Sequence, residues 1–131
     1  MTKKPPITSY KIKWMDKPEA HNYPAAESYL GLIYTAVEAK KLSKDLKSKK
    51  VTYFKAKDIF RASKLSLLGI SNSHVEKNYK KIRDGEKISP ILLVRDRKNR
   101  ILIVADGYHR MCAVYHYDED VLIPCQITNG K

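Results

Sequence analysis

The chain has 131 residues, 43% of them hydrophobic and 31% charged, with five glycines and six prolines. That length and balance suit a single globular domain over residues 1–131 with its own core, and they exclude a disordered, collagenous or disulfide-stapled chain. Lys and Arg number 26 against 14 Asp and Glu, a net charge of +12, so a polyanionic partner such as nucleic acid has to be weighed.

Most of that basic excess falls in residues 1–64, much of it lysine on a solvated helix face, which solubility alone explains. Cys112 and Cys125 sit among apolar residues without a CxxC pair or a Cys/His cluster, the pattern of free core thiols rather than of a disulfide framework or zinc. No stretch approaches the length that crosses a bilayer, and no apolar run follows the basic first residues, so no membrane contact and a cytoplasmic location are expected.

In chain order, Tyr10, Ile12 and Trp14 alternate with Lys11 and Lys13 as in a half-buried strand. A polar connection follows through Tyr23 and Pro24. From Ala25 onward Ala26, Leu30, Ile33 and Val37 recur at helical spacing, and Leu42 and Leu46 extend the stripe to about Lys49, as one long helix or two short ones. Residues 51–54 form a brief β-prone run, 57–63 a helical turn, and 65–70 an apolar irregular segment that should not lie free in water. Ser73 and Glu76 have capping-box spacing, with Val75, Tyr79 and Ile82 as the apolar face behind them and Gly85 placed to end the helix.

Residues 91–94 and 101–104 are apolar, β-branched runs separated by a charged turn, the pattern of a hairpin. A helix is expected from about Tyr108 to Tyr117. Residues 122–127 make a last strand, which Pro124 assigns to an edge or a terminus. The whole reads as an α/β chain.

Between the second hairpin strand and the helix stands Asp106-Gly107-Tyr108-His109-Arg110. A helix start offers unpartnered N–H groups and partial positive charge, so phosphate binds there readily. Gly107 lets a backbone approach a ligand and permits positive φ, while His109 and Arg110 add side-chain donors, the Arg with a bidentate fork. Taken singly, Asp106 also reads as an N-cap, Arg110 as an ion-pair partner and His109 as a satisfied polar group. Five such residues in succession point to a phosphate site.

Residues 91–127, with the strand pair, DGYHR, the helix and the Ile123-Pro124 strand, resemble the ParB/sulfiredoxin superfamily, and the preceding helix with Gly85 and Pro90-Ile91 extends the likeness to residues 51–127. Residues 1–50 are then an N-terminal strand and helical extension of that core. The full-length pattern is also similar to a group of uncharacterised bacterial ParB-like proteins. The resemblance implies an α+β fold, a small mixed sheet with flanking helices, and a nucleotide at the DGYHR turn: ATP, ADP or CTP, with Mg²⁺ as companion. The free-serine kinases of the superfamily carry DGHHR, from which this chain differs by Tyr108. Sulfiredoxins have Cys at that position, so their thiol chemistry is not expected here. The partition proteins' helix-turn-helix domain is not expected either.

On this resemblance Asp106 would orient the turn or hold Mg²⁺, Gly107, Tyr108, His109 and Arg110 would receive phosphate, and Asn72, Ser73 and His74 would approach the same nucleotide from a second helix start. Glu76 is a candidate base or metal ligand beside His109, although the capping box explains Ser73 and Glu76 without catalysis. The acidic run Asp118-Glu119-Asp120 reads as a polar turn. Two classes of function follow: a nucleotide-dependent phosphotransferase or hydrolase, and a nucleic-acid-binding module without catalysis, with a ParB-like nuclease between them. Oligomeric state is not legible.

Overall fold

The computed structural model describes residues 12–130. Its elements in chain order are α1 (Asn22–Leu30), α2 (Ala36–Lys47), β1 (Thr52–Lys55), α3 (Ala56–Ser63), α4 (Ser73–Arg83), β2 (Ile91–Asp96), β3 (Ile101–Asp106), α5 (Tyr108–Tyr117) and β4 (Leu122–Asn129). The strands form one mixed sheet in the order β1-β4-β2-β3, in which β4 runs antiparallel to β1 and parallel to β2, while β2 and β3 are an antiparallel hairpin. This is the expected α+β architecture.

Strand side chains alternate between faces, and each face has its own core. Ile91, Leu93, Val104, Ile123 and Cys125 pack with Ile59 and Phe60 of α3, Val75 and Ile82 of α4, and Met111 and Val114 of α5. On the other face Leu92, Val94, Ile103 and Ala105 meet Tyr23, Ala26 and Leu30 of α1 and Leu42 and Leu46 of α2. The continuous apolar run of β2 is thereby explained, since both of its faces are covered.

Several expectations are corrected. Helix α1 begins at Asn22 rather than after Pro24; the proline occupies the first turn, where its missing N–H would have had no intrahelical partner. The stripe through Ile33 and Val37 does not exist as a buried face, because the chain breaks after Gly31 and restarts at Thr35, leaving Ile33 46% and Val37 79% exposed. Thr35 builds the capping box: its hydroxyl accepts from the Glu38 N–H at 3.1 Å and its own N–H donates to Glu38 Oε1 at 3.0 Å. At α4 the cap is Asn72, whose Oδ1 accepts from the N–H groups of His74 and Val75, so Ser73 and Glu76 form no capping box there.

Gly85 ends α4 as expected, at φ 77°, with its N–H on Ile82 and that of Glu86 on Lys81. The loop 65–70 is less covered than its composition suggested: Leu65, Leu67 and Ile70 are exposed and Leu68 alone packs against the core. Pro124 lies in an inner strand, contrary to the edge assignment. It precedes by one residue the point where β4 begins to pair with β2, so at Pro124 the strand has only β1 as a partner. Of the predicted first strand, Tyr10 and Lys11 lie outside the described residues, and Trp14 makes an isolated parallel bridge to Ile88.

Candidate functional site

Strand β3 delivers the chain to Asp106, Gly107 turns it at φ 111°, and α5 starts at Tyr108. The positive φ that the sequence permitted is therefore used. So is the missing side chain: a Cβ on Gly107 would lie 2.3 Å from Ile91 Cγ2 and 2.8 Å from its Cβ. The close neighbour of this glycine is the first residue of β2, which makes Gly107 a packing requirement as well as a turn.

Arg110 reaches back across the turn. Its Nε donates to the Ser89 carbonyl at 2.9 Å, and its Nη2 donates to the Pro90 carbonyl at 3.1 Å and to Asp106 Oδ2 at 2.9 Å. The ion pair is mostly enclosed, its side chains 17% and 18% exposed. Ser89 is itself a junction, its hydroxyl accepting from Asn22 Nδ2 at 2.6 Å and from the Glu19 N–H at 3.1 Å. Arg110 thus ties the start of α5 to the entry of β2, and Ser89 ties that entry to α1. Asp106 and Arg110 hold each other and the turn.

The helix that this clamp positions has no side-chain cap at Gly107 and no acidic residue in its first turn. Its fourth N–H, that of Met111, already bonds Gly107 O, so the orphan donors are those before it. Against this start lies the start of α4. The imidazoles of His74 and His109 are 4.9 Å apart between centroids, with their planes at 43°, so the two helix starts do converge. Burial, and after it the neighbouring His74, holds His109 below the usual imidazole range, so the neutral form is favoured.

Tyr108, its ring 5.4 Å from that of His109, reaches the 65–70 loop. Its hydroxyl donates to the Ser66 carbonyl at 2.6 Å, and burial pushes its pKa up. One face further along α5, His116 Nε2 contacts the Leu68 carbonyl at 2.8 Å, a pairing in which Nε2 must carry the hydrogen. Together they moor the 65–70 loop beside the site. Glu76 is exposed, and its side chain makes no hydrogen bond or ion pair with the described residues.

Both cysteines are fully enclosed, and burial raises their thiol pKa values, which removes thiolate nucleophiles from consideration at neutral pH. No group of three or more His, Cys, Asp or Glu side chains among the described residues could hold a metal ion. Asp106 is engaged by Arg110 and joins no such group, so the described residues do not form a Mg²⁺ site built into the protein. The lysine-rich helix α2 packs on the opposite face of the sheet from α5.

The clamp on Ser89 and Pro90, the mooring of the loop and the histidine pair were not readable from spacing, because each joins segments 20 or more residues apart. No helix among the described residues is long and apolar enough to cross a membrane. No protein-family model matches the chain, and neither a curated protein nor a solved structure is found to be similar to it.

Proposed function

We propose that this chain is a ParB/sulfiredoxin-like protein that binds a nucleotide, or another phosphate-bearing small molecule, where the starts of α4 and α5 meet. The observation that carries the reading is the pair His74 and His109, set 4.9 Å apart beside a helix start that no side chain caps. Backbone N–H groups of the first turn of α5 would bind the phosphate oxygens, and the two imidazoles would flank them. Arg110 and Asp106 act as the scaffold that fixes the turn. In a phosphotransferase or nucleotide hydrolase built this way, neutral His109 is suited to accept the proton of an attacking hydroxyl or water.

The separation of α2 from α5 by the sheet supports a small ligand over an extended polyanion, since one duplex face would not span both. The experiment is a set of binding isotherms for ATP, ADP and CTP, with and without Mg²⁺, on wild type and on the double variant His74→Ala/His109→Ala. Saturable binding that weakens roughly tenfold or more in a variant that still melts cooperatively is the expected result. Wild-type binding that the variant retains in full would place the ligand elsewhere. Binding of oligonucleotides alone, with a slope of about one log unit per log unit of salt for each phosphate neutralised, would favour the nucleic-acid reading.

A further inference from the structure

A groove of ≈ 620 Å³ opens at the opposite end of the β2–β3 hairpin from the DGYHR turn. Its separation follows from register: Leu92 pairs with Asp106 at the turn end, whereas Arg95 pairs with Leu102 in the groove. Four residues of β3 at about 3.3 Å each put the two places roughly 13 Å apart. The volume falls in the usual range for small-molecule sites, about 300–1,000 Å³.

We propose that this groove binds an amphipathic anion, an alkyl or aryl body ending in a carboxylate or phosphate. The apolar part of the argument is the floor. Leu93, Leu102 and Ile127 present one face of the sheet, and Phe54, Ile59 and Ala62 make the wall toward α3. The lining surface is nearly all carbon even though five cationic residues contribute to it, so those residues line it with their methylene stems and carry their charges at its mouth. Such a surface gives a nucleobase or a peptide backbone few polar partners, and it suits a hydrocarbon.

The charge comes from both sides. Arg61 and Lys64 stand on the α3 side, and Arg95, Arg97 and Arg100 on the hairpin side. Two carboxylates also line the groove, and both are committed. Asp96 is buried and accepts from the N–H and Nδ2 of Asn99 at 3.1 and 2.8 Å, which lowers its pKa, and Asp58 pairs with Arg61 at 3.6 Å. Lys64, Arg97 and Arg100 make no ion pair among the described residues, and Arg95 makes a hydrogen bond to Asn129 only. Guanidinium groups over a hydrocarbon trough select an anionic head on an apolar tail.

The test uses decanoate, decyl phosphate and decyltrimethylammonium below their micelle-forming concentrations, with methyl NMR shifts of Leu102 and Ile127 as the readout. Saturable binding of one of the two anions, with shifts at those methyls, is expected, and the tighter of the two identifies the head group. Arg97→Glu combined with Arg100→Asn should weaken it roughly tenfold or more; Asn suits position 100 because φ there is 55°. Ala62→Trp, at an exposed position of α3, should fill the groove and abolish binding while the melt is unchanged. Equal binding of the cationic amphiphile, shifts that map elsewhere, affinity unchanged in both variants, or binding of oligothymidylate or an acidic peptide without any of the anions would each overturn the proposal.

Discussion

His74 and His109 face each other at 4.9 Å from the first turns of two different helices, and burial holds His109 below the ordinary imidazole range. Two imidazoles this close resist double protonation unless an anion shares them. An anion bound between them should therefore raise the pKa of His109 and bind more tightly as pH falls. Sulfate is the suitable probe because its own charge does not change between pH 5 and 8. Sulfate affinity that is flat over that range, or unchanged in His109→Gln, would contradict the assignment.

The same shift has a consequence for stability, with the opposite direction. A histidine whose pKa is lowered on folding binds its proton more readily in the unfolded chain, so stability rises with pH through the window between the folded value and the unfolded one near 6.5. Without sulfate, chemical denaturation at pH 7.5 should therefore show a more stable protein than at pH 5.5. In His109→Gln that difference should shrink.

Gly107→Ala should destabilise the fold by about 2–4 kcal/mol, since it combines a φ of 111° with a Cβ driven into Ile91. Ile91→Ala also costs stability, through a cavity. Because the truncation relieves part of the clash and the new methyl fills part of the cavity, the double variant should lose less than the sum of the two, and a double-mutant cycle by urea denaturation measures the shortfall.

Arg110→Ala should cost about 2–4 kcal/mol, because it strands the carbonyl of buried Ser89, leaves the Pro90 carbonyl only the Ser89 hydroxyl at 3.3 Å, and leaves Asp106 unpaired in a mostly enclosed site. Arg110→Lys should recover less than half of this, as one ammonium cannot replace a planar fork spread over three acceptors. A fully stable Arg110→Ala protein with abolished nucleotide binding would return this residue to the ligand, the role that sequence alone had suggested.

Tyr34 carries a hydroxyl that is buried without a hydrogen-bond partner among the described residues, close against the backbone of Gly130. Removing that hydroxyl removes its desolvation cost. Tyr34→Phe should therefore raise stability by about 1 kcal/mol, detectable as a shift of a few degrees in Tm.

What could be read from the sequence was local. Ile91, Val94, Ile101 and Val104 gave away the hairpin by composition and by the charged turn between them, and the helix expected over about Tyr108 to Tyr117 is found there because strand, glycine and helix stand in immediate succession. The break after Leu30 was also written there, as Thr35 and Glu38 at capping-box spacing, but the apolar stripe through Ile33 and Val37 masked it. The Arg110 clamp could not be read because two of its three acceptors are carbonyls, which every residue possesses. Pro124 misled for a related reason: its lack of a donor identifies a position without a second neighbour, and a strand can have such a position inside a sheet when its two ladders are offset.

The offset ladders of β4 also govern how the molecule is made. Strands β1 and β2 never touch each other; each pairs with β4, the last element in the described chain. During synthesis the hairpin and the four helices before β2 can form early. The sheet, however, stays split in two, with open edges on β1 and β2, until residues 122–129 leave the ribosome and slide between them. Assembly of the sheet is thus gated by the synthesis of β4, and a nascent chain stalled before β4 would present two unmatched edges to whatever else in the cell can pair with them.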